Sequence, residues 1–121
     1  MSKKILAVDD DEDIVEVIRI ILEDEGYEVS TLTSGKHVMD VISSVRSDLI
    51  LLDVMLAGMD GREICRNIKA HQIFKYIPVV MISASHNLQA LLKSPGSPND
   101  FLAKPFDINN LISKVKMQLA G

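Results

Sequence analysis

The segment Leu49-Ile50-Leu51-Leu52-Asp53 places four consecutive apolar residues directly before a carboxylate. A strand with one wet face alternates apolar and polar residues, so an unbroken run of this length fits a strand covered on both faces. Val79-Val80-Met81-Ile82, followed by Ser83, repeats the pattern. Further out, apolar runs of strand length stand at Ile5 to Val8, Tyr27 to Leu32 and Phe101 to Ala103, and the stretches between runs are long enough for helices. Five strands alternating with about five helices predict an α/β fold, a doubly wound parallel sheet with right-handed crossovers and helices on both faces.

The intervening stretches carry helical periodicity. Ile14, Val17, Ile18, Ile21 and Leu22 recur at one-face spacing, with Glu16, Arg19 and Glu23 opposite, and Gly26 supplies a left-handed cap. A second helix is expected after Ser34, from Val38, Met39, Val41 and Ile42. A third, starting near Asp60, carries Ile64, Cys65 and Ile68. Asp107 is expected to cap a last helix that turns Ile108, Leu111, Ile112, Val115 and Leu119 inward. Pro95 and Pro98 should stop the fourth helix near Leu92, leaving residues 94–100 mobile for want of apolar anchors.

Composition bounds the function. The 121 residues amount to ~0.8 of a typical domain, so one unit spanning 1–121 is expected, with no output domain inside it. Apolar residues at 47% and charged residues at 25% exclude disorder, collagen and coiled coil. A net charge of -4 without a basic run argues against direct nucleic-acid binding. A lone cysteine, Cys65, makes no internal disulfide and suits a reducing compartment, so a cytoplasmic setting is expected. No apolar stretch is long enough to span a membrane, and none is expected to bind one.

In open parallel sheets ligands sit beyond the carboxyl ends of the strands. Asp9, Asp10, Asp11, Glu12 and Asp13 follow the first strand, Asp53 the third, Ser83 the fourth, and Lys104-Pro105 the fifth. Asp11, Glu12 and Asp13 suit the positive end of a helix. Carboxylates converging with Asp53 would repel one another unless a cation joined them. Oxygen donors in small number describe Mg²⁺ better than zinc, which prefers His and Cys. A carboxylate beside such a metal can attack a phosphoryl group, with Lys104 and Ser83 available to the phosphoryl oxygens.

Together, "ILAVDDDEDI", "DLILLDVMLAGMDG", "VVMISAS" and "FLAKPF" resemble the receiver domain of two-component response regulators over nearly the whole chain. The resemblance implies a flavodoxin-like strand order, 2-1-3-4-5. It makes Asp53 the phosphoacceptor and Asp9 with Asp10 the metal-binding acidic pair, Asp11 being the alternative second acid. It adds the backbone carbonyl of Met55 as a metal ligand, Ser83 as the switch hydroxyl, Lys104 as the site lysine and Phe101 as the aromatic switch. Ala57 replaces a proline common in the loop after the phosphoacceptor, which implies a more mobile loop.

The implied function is a signalling switch and not an enzyme. Asp53 takes a phosphoryl group from a sensor histidine kinase or a histidine phosphotransfer protein, and the chain then engages an unknown output protein. A monomer is expected before phosphorylation. A phosphorylation-independent scaffold is the alternative. A haloacid-dehalogenase-type phosphatase wants an acid where Met55 stands, and a flavin phosphate would be repelled by Asp9 to Asp13. His37, His71 and His86 share no metal-ligand spacing and read as solvated, and Cys65 reads as core filler. Lys114 and Lys116 suit the negative end of the last helix and a partner surface.

Overall fold

The computed structural model describes residues 2–84 and 96–120. Five parallel strands form the central sheet: β1 (Lys4–Val8), β2 (Glu28–Leu32), β3 (Leu49–Asp53), β6 (Val79–Ser83) and β7 (Asp100–Ala103). Their order is β2-β1-β3-β6-β7, the expected 2-1-3-4-5 arrangement once the short hairpin strands β4 (Met55–Leu56) and β5 (Met59–Asp60) are set aside. The described helices are α1 (Glu12–Asp24), α2 (Val38–Val45), α3 (Gly61–Ala70) and α4 (Ile108–Leu119), with a 3-10 turn at Phe74–Tyr76. The expected helix end near Leu92, and Ser94 with Pro95, lie outside the described residues.

Strand pleating explains why the β3 run is wholly apolar. Leu6, Val8, Ile50, Leu52, Val79 and Met81 face α2 and α3 in one buried cluster. Ile5, Ala7, Leu49, Leu51, Val80 and Ile82 face α1 and α4 in the other. Successive residues therefore enter different cores, and each needs an apolar side chain. Burying one such side chain contributes roughly 1.5–3 kcal/mol, so the two layers together supply most of the drive to fold.

The helix ends follow local chemistry. Asp11, Asp60 and Asp107 cap α1, α3 and α4, each side chain accepting from backbone N–H groups in the first turn. After α1, Gly26 (φ 96°) and Tyr27 donate to the Glu23 and Leu22 carbonyls, closing the helix as its glycine implies. α2 begins at Val38 with His37 before it, later than Ser34 suggests, and ends on Arg46 in the left-handed region at φ 57°.

Three expectations are corrected. Val17 is 46% exposed, and Val15 occupies the inward face of α1 with Ile18 and Leu22. Ile108, 54% exposed, stands at the first turn of α4 outside its buried face. His71 is no solvated histidine: its ring stacks on Phe74 at 4.0 Å, and its Nδ1 accepts from the Ile73 and Phe74 amides. Within residues 96–100, Asn99 makes polar bonds where apolar anchors are few. Its amide donates to the Val79 carbonyl at 2.8 Å, its Oδ1 accepts from Val79 N and Lys69 Nζ, and Pro98 is buried. Cys65 is buried as core filler, and burial pushes its thiol up to about 11, which leaves it protonated and unreactive.

Candidate functional site

The carboxyl end of the sheet gathers the charged residues. β1 ends at Val8 and presents Asp9, which is buried, while Asp10 beside it is exposed. β3 pairs with β1 and delivers Asp53 to the same edge, also buried. Carboxylate oxygens of Asp9, Asp10 and Asp53 all lie within 4.8 Å of one another. Lys104, from the turn after β7, donates to Asp9 Oδ2 at 2.8 Å, and its ammonium lies 3.4 Å from Asp53 Oδ2. The Lys104–Pro105 peptide bond is cis.

Asp11 stands apart from this group. Its side chain accepts from Asp13 N at 2.9 Å as the cap of α1, while its own amide donates to Asp9 Oδ1 at 3.0 Å. Glu12 and Asp13 occupy the first turn of the same helix, where acids interact favourably with its dipole. The acidic run therefore divides into a pair that faces Asp53 and three residues that serve the helix.

Among the described residues, three carboxylates meet one ammonium, and the electrostatics register the imbalance. Burial raises the Asp53 pKa first and the Asp9 charge raises it further, against the pull of Lys104 and of the Met55 amide. Burial works against the Lys104 charge, but Asp9 and Asp53 outweigh it and hold the ammonium above its usual range. An added divalent cation would remove the remaining repulsion. An oxygen-only donor set with one exposed member leaves room for water and phosphate oxygens, which fits Mg²⁺.

The residues after Asp53 shape the rim. Met55–Leu56 (β4) pairs antiparallel with Met59–Asp60 (β5) around Ala57-Gly58, and Gly58 takes φ 72°. Ala57 thus sits at the tip of a short hairpin whose two-residue strands are too brief to show a pattern in sequence. Met55 is 76% exposed, and its amide faces the Asp53 carboxyl. Gly61 follows the hairpin with its amide on the Val54 carbonyl at 2.8 Å. A Cβ built there would lie 2.0 Å from the Asp53 carbonyl oxygen, so only glycine lets α3 start this close to β3.

The two switch candidates lie at different depths. Ser83 is buried at the end of β6, one residue beyond Ile82, which pairs with Asp53. The amide of Lys104 donates to the Ser83 carbonyl at 2.8 Å, so the serine and the lysine share one strand end. Phe101 sits lower, opposite Met81 on the edge strand and half-buried. The fold therefore brings together Asp9, Asp10, Asp53 and Lys104, puts Ser83 on their rim, and leaves Phe101 outside the charged cluster.

Residues 5–116 match the family described as "Response regulator receiver domain". The chain belongs to the response regulator receiver family. The receiver is 33% identical to a putative response regulator from Chloroflexus aurantiacus J-10-fl, with a TM-score of 0.91 over 100% of both chains. It superposes on the chemotaxis response regulator CheY4 of Vibrio cholerae with a TM-score of 0.89 at 27% identity, covering 98% of this chain and 100% of that one. It is also 32% identical to the DNA-binding response regulator MtrA of Mycobacterium tuberculosis over 120 residues, 98% of this chain and 51% of that protein. The receiver spans about half the length of the curated relatives it matches. Among the described residues no helix is long and apolar enough to cross a membrane.

Proposed function

We propose that the receiver is a phosphorylation-activated switch of a two-component phosphorelay, with Asp53 as phosphoacceptor. The observation that carries this reading is the convergence of the Asp9, Asp10 and Asp53 carboxylates within 4.8 Å, faced by the Lys104 ammonium. Asp9 and Asp10 would hold Mg²⁺ together with Asp53, and the Met55 carbonyl is the fourth protein donor in this reading. Bound Mg²⁺ supplies charge neutralisation for the phosphoryl oxygens. An Asp53 carboxylate oxygen attacks the phosphorus of a phosphohistidine. The P–N bond breaks, the imidazole departs with the electron pair and is protonated, and an acyl phosphate stays on Asp53. Lys104 holds the carboxylates in register and then pairs with a phosphoryl oxygen, while the Ser83 hydroxyl turns to another.

The partners of this reading are a sensor histidine kinase or a histidine phosphotransfer protein in the cytoplasm, then an output protein. The chain takes part in its own phosphotransfer and turns over no separate substrate. It is monomeric before phosphorylation. In a longer protein of the mycobacterial kind the switch would govern DNA binding, although this chain, at -4, has no basic run of its own for phosphates. Intact mass after exposure to phosphoramidate, with and without Mg²⁺, tests the assignment. The expected result is a Mg²⁺-dependent gain of one phosphoryl group that Asp53→Asn abolishes. Uptake that persists in Asp53→Asn overturns it.

A further inference from the structure

Among the described residues β7 is an edge strand, paired with β6 alone, and α4 packs beside it. Leu102 shares a buried cluster with Leu111 and Val115, and a polar assembly flanks that contact. Asp100 Oδ1 accepts from the Phe101 amide at 2.8 Å. Both oxygens of the same carboxylate accept from Lys114 Nζ, each at 3.2 Å. The Lys114 ammonium then lies 5.8 Å from the centroid of the Phe101 ring, within the range at which a cation is attracted to an aromatic face. The pair is about three-quarters shielded, its side chains being 24% and 21% exposed. One carboxylate thus fixes the backbone of Phe101 and the cation over its ring at the same time.

We propose that Lys114 is a positioning residue for Phe101, holding the ring in its resting rotamer through the Asp100 carboxylate and so setting the threshold of the switch. The proposal rests on the reading of Phe101 as the residue that responds to phosphorylation. A ligand shifts a two-state equilibrium only through interactions that differ between the states. The ammonium meets the ring in one rotamer and loses it in the other, whereas the carboxylate's bond to the Phe101 amide is the same in both. The bias therefore comes from the cation, and for a partly exposed pair it amounts to about two- to fivefold in population. Lys114 is 14 residues from Asp100 and on another element, so it ties the edge strand to α4, whose opposite contact with α1 includes the Lys116–Glu25 ion pair.

The test reads rotamer populations directly. The chain has three phenylalanines, Phe74, Phe101 and Phe106, so ¹³C-phenylalanine labelling gives three separable sets of side-chain couplings. In unphosphorylated protein, Lys114→Met keeps the aliphatic stem and removes the charge. It should move the Phe101 χ1 population by about two- to fivefold while Phe74 and Phe106 stay put, and Lys114→Arg should restore it. Asp100→Asn, which loosens the ammonium, should move Phe101 in the same direction. By linkage, half-saturation with beryllofluoride and Mg²⁺ should fall in Lys114→Met by up to the same factor. Unchanged Phe101 couplings in Lys114→Met, or an arginine variant that behaves like the methionine one, would overturn the proposal. Because the couplings are read without phosphoryl transfer, a failure of Asp53 to take a phosphoryl group would strike the phosphoacceptor reading and leave the clasp standing.

Discussion

Strands β3 and β7 belong to one sheet and sit in opposite circumstances. Every residue of β3, including Asp53, is buried between two strands and two layers of helix. Among the described residues β7 is an edge with only Leu102 fully buried, and its Asp100 and Phe101 are tied to α4 through Lys114. The difference separates two requirements of a switch. Chemistry needs carboxylates fixed to fractions of an ångström, which a doubly covered central strand provides. Response needs a side chain whose two positions are close in energy, and an edge residue held by one cation and one carboxylate meets that need.

The contrast can be broken at either strand. Leu51→Ala should destabilise by about 4 kcal/mol, since it empties space in a layer with little room to collapse. Phe101→Ala should cost only about 1–2 kcal/mol, because that ring is only partly buried at the sheet edge. Chemical denaturation of both variants checks the gap, and equal costs would show that the edge is as tightly packed as the centre.

Next in size is Gly61→Ala. Its new methyl would press on the Asp53 carbonyl, so α3 must shift from β3 at about 3 kcal/mol. Phosphoryl uptake at Asp53 should fall with it. Glycine 58, at positive φ but with open space around it, should tolerate Ala at about 1 kcal/mol with uptake retained.

The smallest effect is electrostatic. Asp53 holds its proton more tightly in the folded chain than in the unfolded one, through burial and then the Asp9 charge. Its contribution to stability is therefore fully present below the ordinary carboxylate pKa and is lost as pH rises through the raised folded value. Without divalent cation, Asp53→Asn should accordingly melt higher than the parent at pH 7, with the difference closing toward pH 4. Thermal melts across that range check the sign, and Mg²⁺ should raise the melting temperature of the parent more than that of the variant.

Much of this was legible in particular residues. All five sheet strands fall within a residue of their apolar runs. The signal is loud in β1, β3 and β6, which are buried on both faces and apolar at nearly every position, and weaker in the partly buried edge strands β2 and β7. Asp9, Asp10, Asp53 and Lys104 stand immediately after such runs, so finding the strands also finds the charged edge. Faint signals failed where packing overrode periodicity: Val17 carries the right spacing for α1 yet faces water, since Val15 fills the available space. The β4–β5 hairpin is too short to show a pattern. Asn99 and Lys69, 30 residues apart, and Asp100 and Lys114, on strand and helix, pair only once the chain has folded.

The central claim is that chemistry on β3 is read out at β7, and amide chemical shifts of ¹⁵N-labelled receiver on adding beryllofluoride with Mg²⁺ test it most directly. The expected result is a set of shifts at Asp9, Asp10 and Asp53 to Met55, accompanied by shifts at Asp100 to Lys104 and at Lys114, all absent in Asp53→Asn. Shifts confined to the carboxyl ends of β1 and β3, with Phe101 and Lys114 unmoved, would contradict it.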